Sequence, residues 1–156
     1  ILSIPVSVGT LILGLPSGLV LGAMFGTVSV LSAFGIVGTP SALAATLVSA
    51  SPILAILLSY VPRLLIPVFV YETHRLATRK NAQSKRAVSY AAAAGSLCNT
   101  VFYLGLMLLF YILCGLNNSS VLAAIGGTGL IAGASEAIVA VLIVTPVTLA
   151  IRKIQK

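Results

Sequence analysis

Charge is what this chain has least of. Only 7% of its 156 residues are Asp, Glu, Lys or Arg, two of them acidic, against a hydrophobic share of 59% and a mean hydropathy of +1.17. Soluble domains carry roughly a quarter charged residues, so this composition excludes that class and predicts an all-α protein crossing a membrane several times. Tryptophan is absent, and the single histidine, His74, sits beside a basic run as a solvated interfacial residue. One imidazole without clustered Cys, Asp or Glu offers no metal-ligand spacing. Cys98 and Cys114 lie sixteen positions apart on one predicted helix, roughly 24 Å at the helical rise and too far for a bridge between them. A Gly-rich phosphate loop ending in Lys and Ser or Thr is also missing, so any ATP use belongs to another chain, and no cofactor is expected in this one.

What charge there is follows a pattern. The formal net charge is +7, and eight of the nine basic residues form two runs: Arg75, Arg79, Lys80, Lys85 and Arg86, then Arg152, Lys153 and Lys156. Both flank apolar spans, which matches the cytoplasmic bias of Lys and Arg in membrane proteins and argues against nucleic-acid binding. The ninth cation is Arg63, inside the apolar stretch that also holds Pro62 and Pro67.

Loop signals divide the chain into five predicted spans within one transmembrane substrate-binding domain, 1–156. The first, residues 1–13, is too short to cross alone and ends at the turn "GLPSG". The second covers 19–34 and leads into "GIVGTPSALAATLVSA", a less regular segment expected to form a lid or re-entrant piece. The third runs over 52–71 with Pro52 in its first turn, the fourth over 87–114, and after "GLNNSS" the fifth over 121–151. With both basic runs cytoplasmic, "GLNNSS" and the 38–49 segment lie outside, and so does Ile1. A start lacking Met and a charged leader then implies one helix missing upstream and a six-helix bundle in all.

Gly14, Gly18, Gly22 and Gly26 recur every four residues and draw a smooth stripe along the second span. Such a stripe lets another backbone approach closely, either within the bundle or as a docking face for a partner subunit. Gly126, Gly129, Gly133 and Ala137 do the same on the fifth span, as do Ala91 and Gly95 on the fourth.

Three polar groups fall at similar predicted depth. Arg63 lies twelve residues before Arg75, Asn99 thirteen after Arg86 and Glu136 sixteen before Arg152, hence roughly 18, 20 and 24 Å from the basic boundary on three helices. Ionisable groups at such depth cost on the order of 3 kcal/mol each and normally face a partner or a wet cavity. One reading is an architectural ion pair of Arg63 with Glu136, completed by Asn99. The other is a solvated outer pocket where Arg63 meets an anionic ligand while Asn99 and Glu136 meet its hydroxyl or amide groups. Tyr60 and Ser59 share the face of Arg63, and Ser96 and Tyr103 that of Asn99, which makes Tyr60 and Tyr103 further candidate contacts. Phe34, at the outer end of the second span, is placed to close over a ligand. Pro62 and Pro67 remove two backbone donors and free carbonyls beside the arginine.

At "YVPRLLI", "AAAAGSLCNTVFYLGLMLLF" and "GASEAIVAVLIVTPV" the chain resembles the substrate-binding S components of energy-coupling factor vitamin transporters. The order of Pro62 and Arg63, then Gly95, Ser96, Asn99 and Thr100, then Glu136 to Val139 is most similar to the pantothenate-specific branch, and the similarity runs from "IPVSVGTLILG" onward. The resemblance implies a multi-pass subunit of a bacterial cell membrane, with a cytoplasmic C-terminus, that captures a vitamin from outside. It would hand the vitamin inward by toppling in the bilayer together with a transmembrane coupling subunit and two cytoplasmic ATPases, and would itself catalyse nothing. The family's first helix carries an Ala-x-x-x-Ala docking motif, and this sequence starts just after that point. The glycine stripe is a candidate aid to docking without matching that motif.

Pantothenate carries a carboxylate, hydroxyls and an amide, which suits a buried guanidinium with polar neighbours. Flat vitamins such as thiamine or riboflavin would favour stacking surfaces that this aromatic-poor chain lacks at pocket depth. Pyridoxine or a hydroxymethylpyrimidine is the alternative ligand. A small membrane enzyme using Glu136 as a base is a further alternative, weakened by the lack of a nucleophile with a nearby histidine. A channel would need polar residues repeated along a path rather than gathered at one level.

Overall fold

Apolar sequence of this kind has one local solution in lipid, because a helix satisfies its own backbone. The computed structural model describes residues 3–79 and 85–154, leaving aside the Thr128 side chain; Ile1, Lys80 and Lys156 lie outside the described residues. Among the described residues, seven α-helices follow one another: α1 (Ser3–Leu13), α2 (Leu15–Ala33), α3 (Ala42–Ala50), α4 (Pro52–Thr78), α5 (Lys85–Leu113), α6 (Ser119–Ala124) and α7 (Leu130–Ile154), with a π-helical turn at Ile125–Gly129 joining the last two. Among the described residues, α2, α4, α5 and α7 are long and apolar enough to cross a membrane, whereas α1 has 11 residues. The protein is an all-α, membrane-type bundle.

Local chemistry explains the boundaries and corrects several expected ones. Gly14, at φ +91° and ψ 178°, supplies a backbone shape open only to glycine, so the break after α1 takes a single residue. Pro16 then fits the first turn of α2, which begins at Leu15 rather than at 19. At the far end of α2 the amides of Gly35 and Ile36 bond to the carbonyls of Ser32 and Leu31, a glycine-closed helix end. The irregular segment that follows is a helix of its own: the Ser41 side chain caps α3 by accepting from the Ala44 amide at 3.2 Å. Ser51 separates α3 from α4, and Pro52 opens α4, which continues past residue 71 to Thr78. The fifth expected span is divided, since the glycine-rich Ile125–Gly129 winds one π turn before α7.

α4 is the axis of the bundle, packed on α5 and α2, while α5 also packs on α7 and α1 wedges against α2, α4 and α7. One core cluster joins Val6, Ile66, Val70, Val88, Ala91 and Val144; a second, toward the other end, joins Leu47, Leu58, Met107, Phe110, Tyr111 and Val121. The Tyr111 hydroxyl donates to the Leu43 carbonyl at 2.7 Å and holds α3 on α5.

The two basic runs do meet at one end. Arg152 on α7 reaches the Leu11 carbonyl at the end of α1, 3.1 Å away, and His74 Nε2 on α4 at 3.3 Å. Leu11 carries one of the last four carbonyls of its helix, which have no donor within it, so Arg152 completes that helix end. Ser89 and Thr145, bonded at 3.0 Å, join the start of α5 to the same region of α7. The carboxyl end of α2, α3 and the first turns of α4 therefore lie at the opposite end.

The glycine stripe faces inward. Gly18, Gly22 and Gly26 are buried, and a methyl group on each would stand 2.8 Å from Pro67 Cβ, 2.7 Å from the Arg63 carbonyl oxygen and 2.7 Å from the Tyr60 ring respectively. α4 occupies the face that a docking partner would need, so the stripe is a packing seam and the docking reading of it is corrected. Gly14 serves as the α1–α2 joint. Gly129 and Gly133 likewise admit Leu104 and Thr100 of α5.

Candidate functional site

At the end away from the basic runs, α2, α3, α4 and α5 enclose a cavity of about 300 Å³ lined chiefly by Ser29, Ser32, Thr39, Ser41, Arg63 and Tyr103. Leu47, Ala55, Leu58 and Ser59 also line it. The lining contains no acidic residue, and its single formal charge is the guanidinium of Arg63.

The sequence around that arginine explains how a cation is held there. Proline has no amide hydrogen, so Pro62 leaves the carbonyl four residues earlier, that of Leu58, without its helical donor. Arg63 Nη1 donates to that carbonyl at 3.1 Å. The arginine thus fills the gap its own neighbour creates. Pro67 in turn leaves the Arg63 carbonyl without a helical donor, and Gly22 packs on that point.

Two rings flank the guanidinium: its carbon stands 4.7 Å from the Tyr103 centroid and 5.4 Å from that of Phe25. Both distances fall within cation–π range, which offsets part of the cost of burial. Arg63 is only 8% exposed, and its Nε has no hydrogen-bond partner. Tyr103 and Ser41, which caps α3, both line the cavity beside Arg63. The Ser59 hydroxyl donates to the Ala55 carbonyl within its own helix.

The structure brings together only part of the group expected from depth. Arg63 and Tyr103 line the cavity. Asn99 and Glu136 do not share its lining, and the expected convergence of guanidinium, amide and carboxyl on one hollow is corrected. Glu136 borders a separate hollow with Ser3, Ile4, Ser135 and Val139. Asn99 is partly buried with no hydrogen-bond partner for its Oδ1. The reason is geometric: equal depth fixes the level of a residue along its helix, whereas the direction it faces turns by about 100° per residue. On α7 the inward row is Gly133, Ala137, Ala140 and Val144, and Glu136 stands to one side of it.

Tyr60 also lies off the cavity, its hydroxyl bonded to Thr27 Oγ1 at 2.8 Å between α4 and α2. Phe34, 40% exposed at the end of α2, is not among the lining residues although Ala33 is. Sequence reasoning missed Phe25, Ser29, Ser32, Thr39 and Ser41. The glycine stripe pointed to one of them: continued at helical spacing past Gly22 and Gly26 it reaches Ser29, and then the lining residue Ala33, on the same face of α2.

Such a cavity can hold a small polar anion: one buried cation, two rings restricting its motion, and hydroxyl groups able to donate or accept around it. No protein-family model, curated protein or solved structure matches this chain.

Proposed function

We propose that this chain is the ligand-capturing membrane subunit of an energy-coupling factor vitamin importer, and that its ligand is pantothenate. The observation that carries the reading is Arg63, a buried guanidinium in a hydroxyl-lined cavity without a carboxylate in its lining. A carboxylate ligand supplies the missing counter-charge, and the serine and threonine hydroxyls suit its hydroxyl and amide groups. A volume of about 300 Å³ lies at the small end of ligand sites, in keeping with a compact vitamin rather than a dinucleotide.

Topology supports the direction of transport. With the Arg75 and Arg152 end cytoplasmic, as the positive-inside rule requires, the cavity belongs to the outer half of a bacterial cell membrane. Uptake would then need a transmembrane coupling subunit and two cytoplasmic ATPases to drive release inward. The chain itself would bind without performing chemistry.

The test is titration calorimetry on the purified protein in detergent, without ATP. Pantothenate binds to the wild type, and Arg63→Ala abolishes the heat while leaving the helical circular dichroism intact. A response to pyridoxine or a hydroxymethylpyrimidine with none to pantothenate would replace the ligand and keep the class. Conversion of the ligand to a new product would instead favour an enzyme.

A further inference from the structure

We infer that Ser29 and Ser32 on α2 determine specificity by reading hydroxyl groups of the ligand, and that the ligand is a carboxylate whose hydroxyls lie well away from its charged end. This rests on the reading of the cavity as a carboxylate site and gives its α2 wall a role. Both serines line the cavity and are half-buried. A helical serine or threonine commonly donates its hydroxyl back to a carbonyl three or four residues earlier. Thr27 does so to Ala23, Ser59 to Ala55 and Thr100 to Ser96. Among the described residues, no group hydrogen-bonds to the side chains of Ser29 and Ser32, so both hydroxyls keep their full capacity to donate and accept.

Their place along α2 sets the polarity of the site. Phe25, Ser29 and Ser32 share one face of the helix at i, i+4 and i+7. The Phe25 ring lies 5.4 Å from the carbon of the Arg63 guanidinium. At the helical rise, Ser29 stands roughly 6 Å and Ser32 roughly 10 Å beyond Phe25, away from the basic end. The cation therefore marks the inner end of the site and the two free hydroxyls mark its outer end. A ligand that meets both has its carboxylate and its hydroxyls several bonds apart. An acid with its hydroxyl on the carbon next to the carboxylate reaches only one end.

The experiment removes hydroxyls from protein and ligand in turn. Ser29→Ala and Ser32→Ala delete side-chain groups that hold nothing within the bundle, and alanine is the better helix former. Both variants and the double variant therefore melt at or above the wild-type temperature, whereas serines that served the packing of α2 would lower it. The probes are pantothenate and its analogue lacking both hydroxyls, N-(3,3-dimethylbutanoyl)-β-alanine, which keeps the carboxylate and the amide. An isomer pair, 6-hydroxyhexanoate and 2-hydroxyhexanoate, varies the distance between the two groups, and biotin is a carboxylate without hydroxyls.

By titration calorimetry, pantothenate affinity falls about fivefold in each single variant and on the order of twentyfold in the double, the loss of one and of two hydrogen bonds. The analogue without hydroxyls binds the wild type more weakly than pantothenate does and changes less than about twofold in the double variant. Of the isomers, 6-hydroxyhexanoate binds more tightly, and it alone weakens when the serines are removed. Equal losses for pantothenate and its analogue, or none for pantothenate while Arg63→Ala abolishes binding, would overturn the role of the serines and leave the proposed function standing. Binding of 6-hydroxyhexanoate with the expected sensitivity, and none of pantothenate, would keep the two-ended site and remove the vitamin. Binding of biotin alone would overturn the hydroxyl reading and keep a carboxylate site. Failure of every carboxylate to bind the wild type would overturn both.

Discussion

Replacing Gly22 by alanine puts a methyl group 2.7 Å from the Arg63 carbonyl oxygen, about an ångström inside ordinary van der Waals contact. The obstacle is backbone, so the α2 and α4 axes must part or a helix must bend. Overpacking of this kind costs about 1–3 kcal/mol. Alanine in a helix interior returns about 0.5–1 kcal/mol over glycine, leaving a net loss of up to about 2.5 kcal/mol. At roughly 2–4 °C per kcal/mol for a chain of this length, the melting temperature falls by up to about 10 °C. The assay is thermal unfolding in detergent followed by circular dichroism, with Gly105→Ala as the control. Nothing lies within 4 Å of a methyl group at Gly105, so that variant melts at or above the wild-type temperature. Gly22→Ala as stable as Gly105→Ala would refute the view that the stripe is a packing seam.

Arg152→Ala frees the Leu11 carbonyl and the His74 contact, costing about 1–2 kcal/mol and speeding hydrogen exchange at the α1 end before the rest of the bundle. Tyr60→Phe removes the Thr27 bond, lowers stability by about 0.5–1.5 kcal/mol and leaves pantothenate affinity within about twofold, as measured by melting and calorimetry. Pro62→Ala restores an amide donor to the Leu58 carbonyl and displaces Arg63 Nη1 from it. The loosened guanidinium then binds the carboxylate several-fold more weakly by calorimetry, at unchanged or higher thermal stability.

Much of the architecture could be read from the sequence because lipid leaves few choices. Apolar length gave the spans, and the two basic runs gave the shared end that Arg152 and His74 confirm. Pro62 and Arg63 were legible as a freed carbonyl beside a buried cation, although the sequence did not say that the arginine itself takes up that carbonyl. α3 was hidden because a short segment with Gly38 and Pro40 ahead of it reads as loop until Ser41 is recognised as a cap. The π turn at Ile125–Gly129 has no periodic signature distinct from a glycine-rich helix start. The grouping of Arg63 with Asn99 and Glu136 failed because depth alone cannot tell which way a side chain faces. The packing of Gly133 on Thr100 sets the rotation of α7 that turns Glu136 toward Ser3.

The most direct test of carboxylate capture at Arg63 is an experimental structure of the full chain with pantothenate bound. Capture at Arg63 places the ligand carboxylate about 3 Å from the guanidinium nitrogens, within the cavity bounded by Ser29, Ser41 and Tyr103. Pantothenate seated in the Ser3, Ser135 and Glu136 hollow, with Arg63 unengaged, would contradict it.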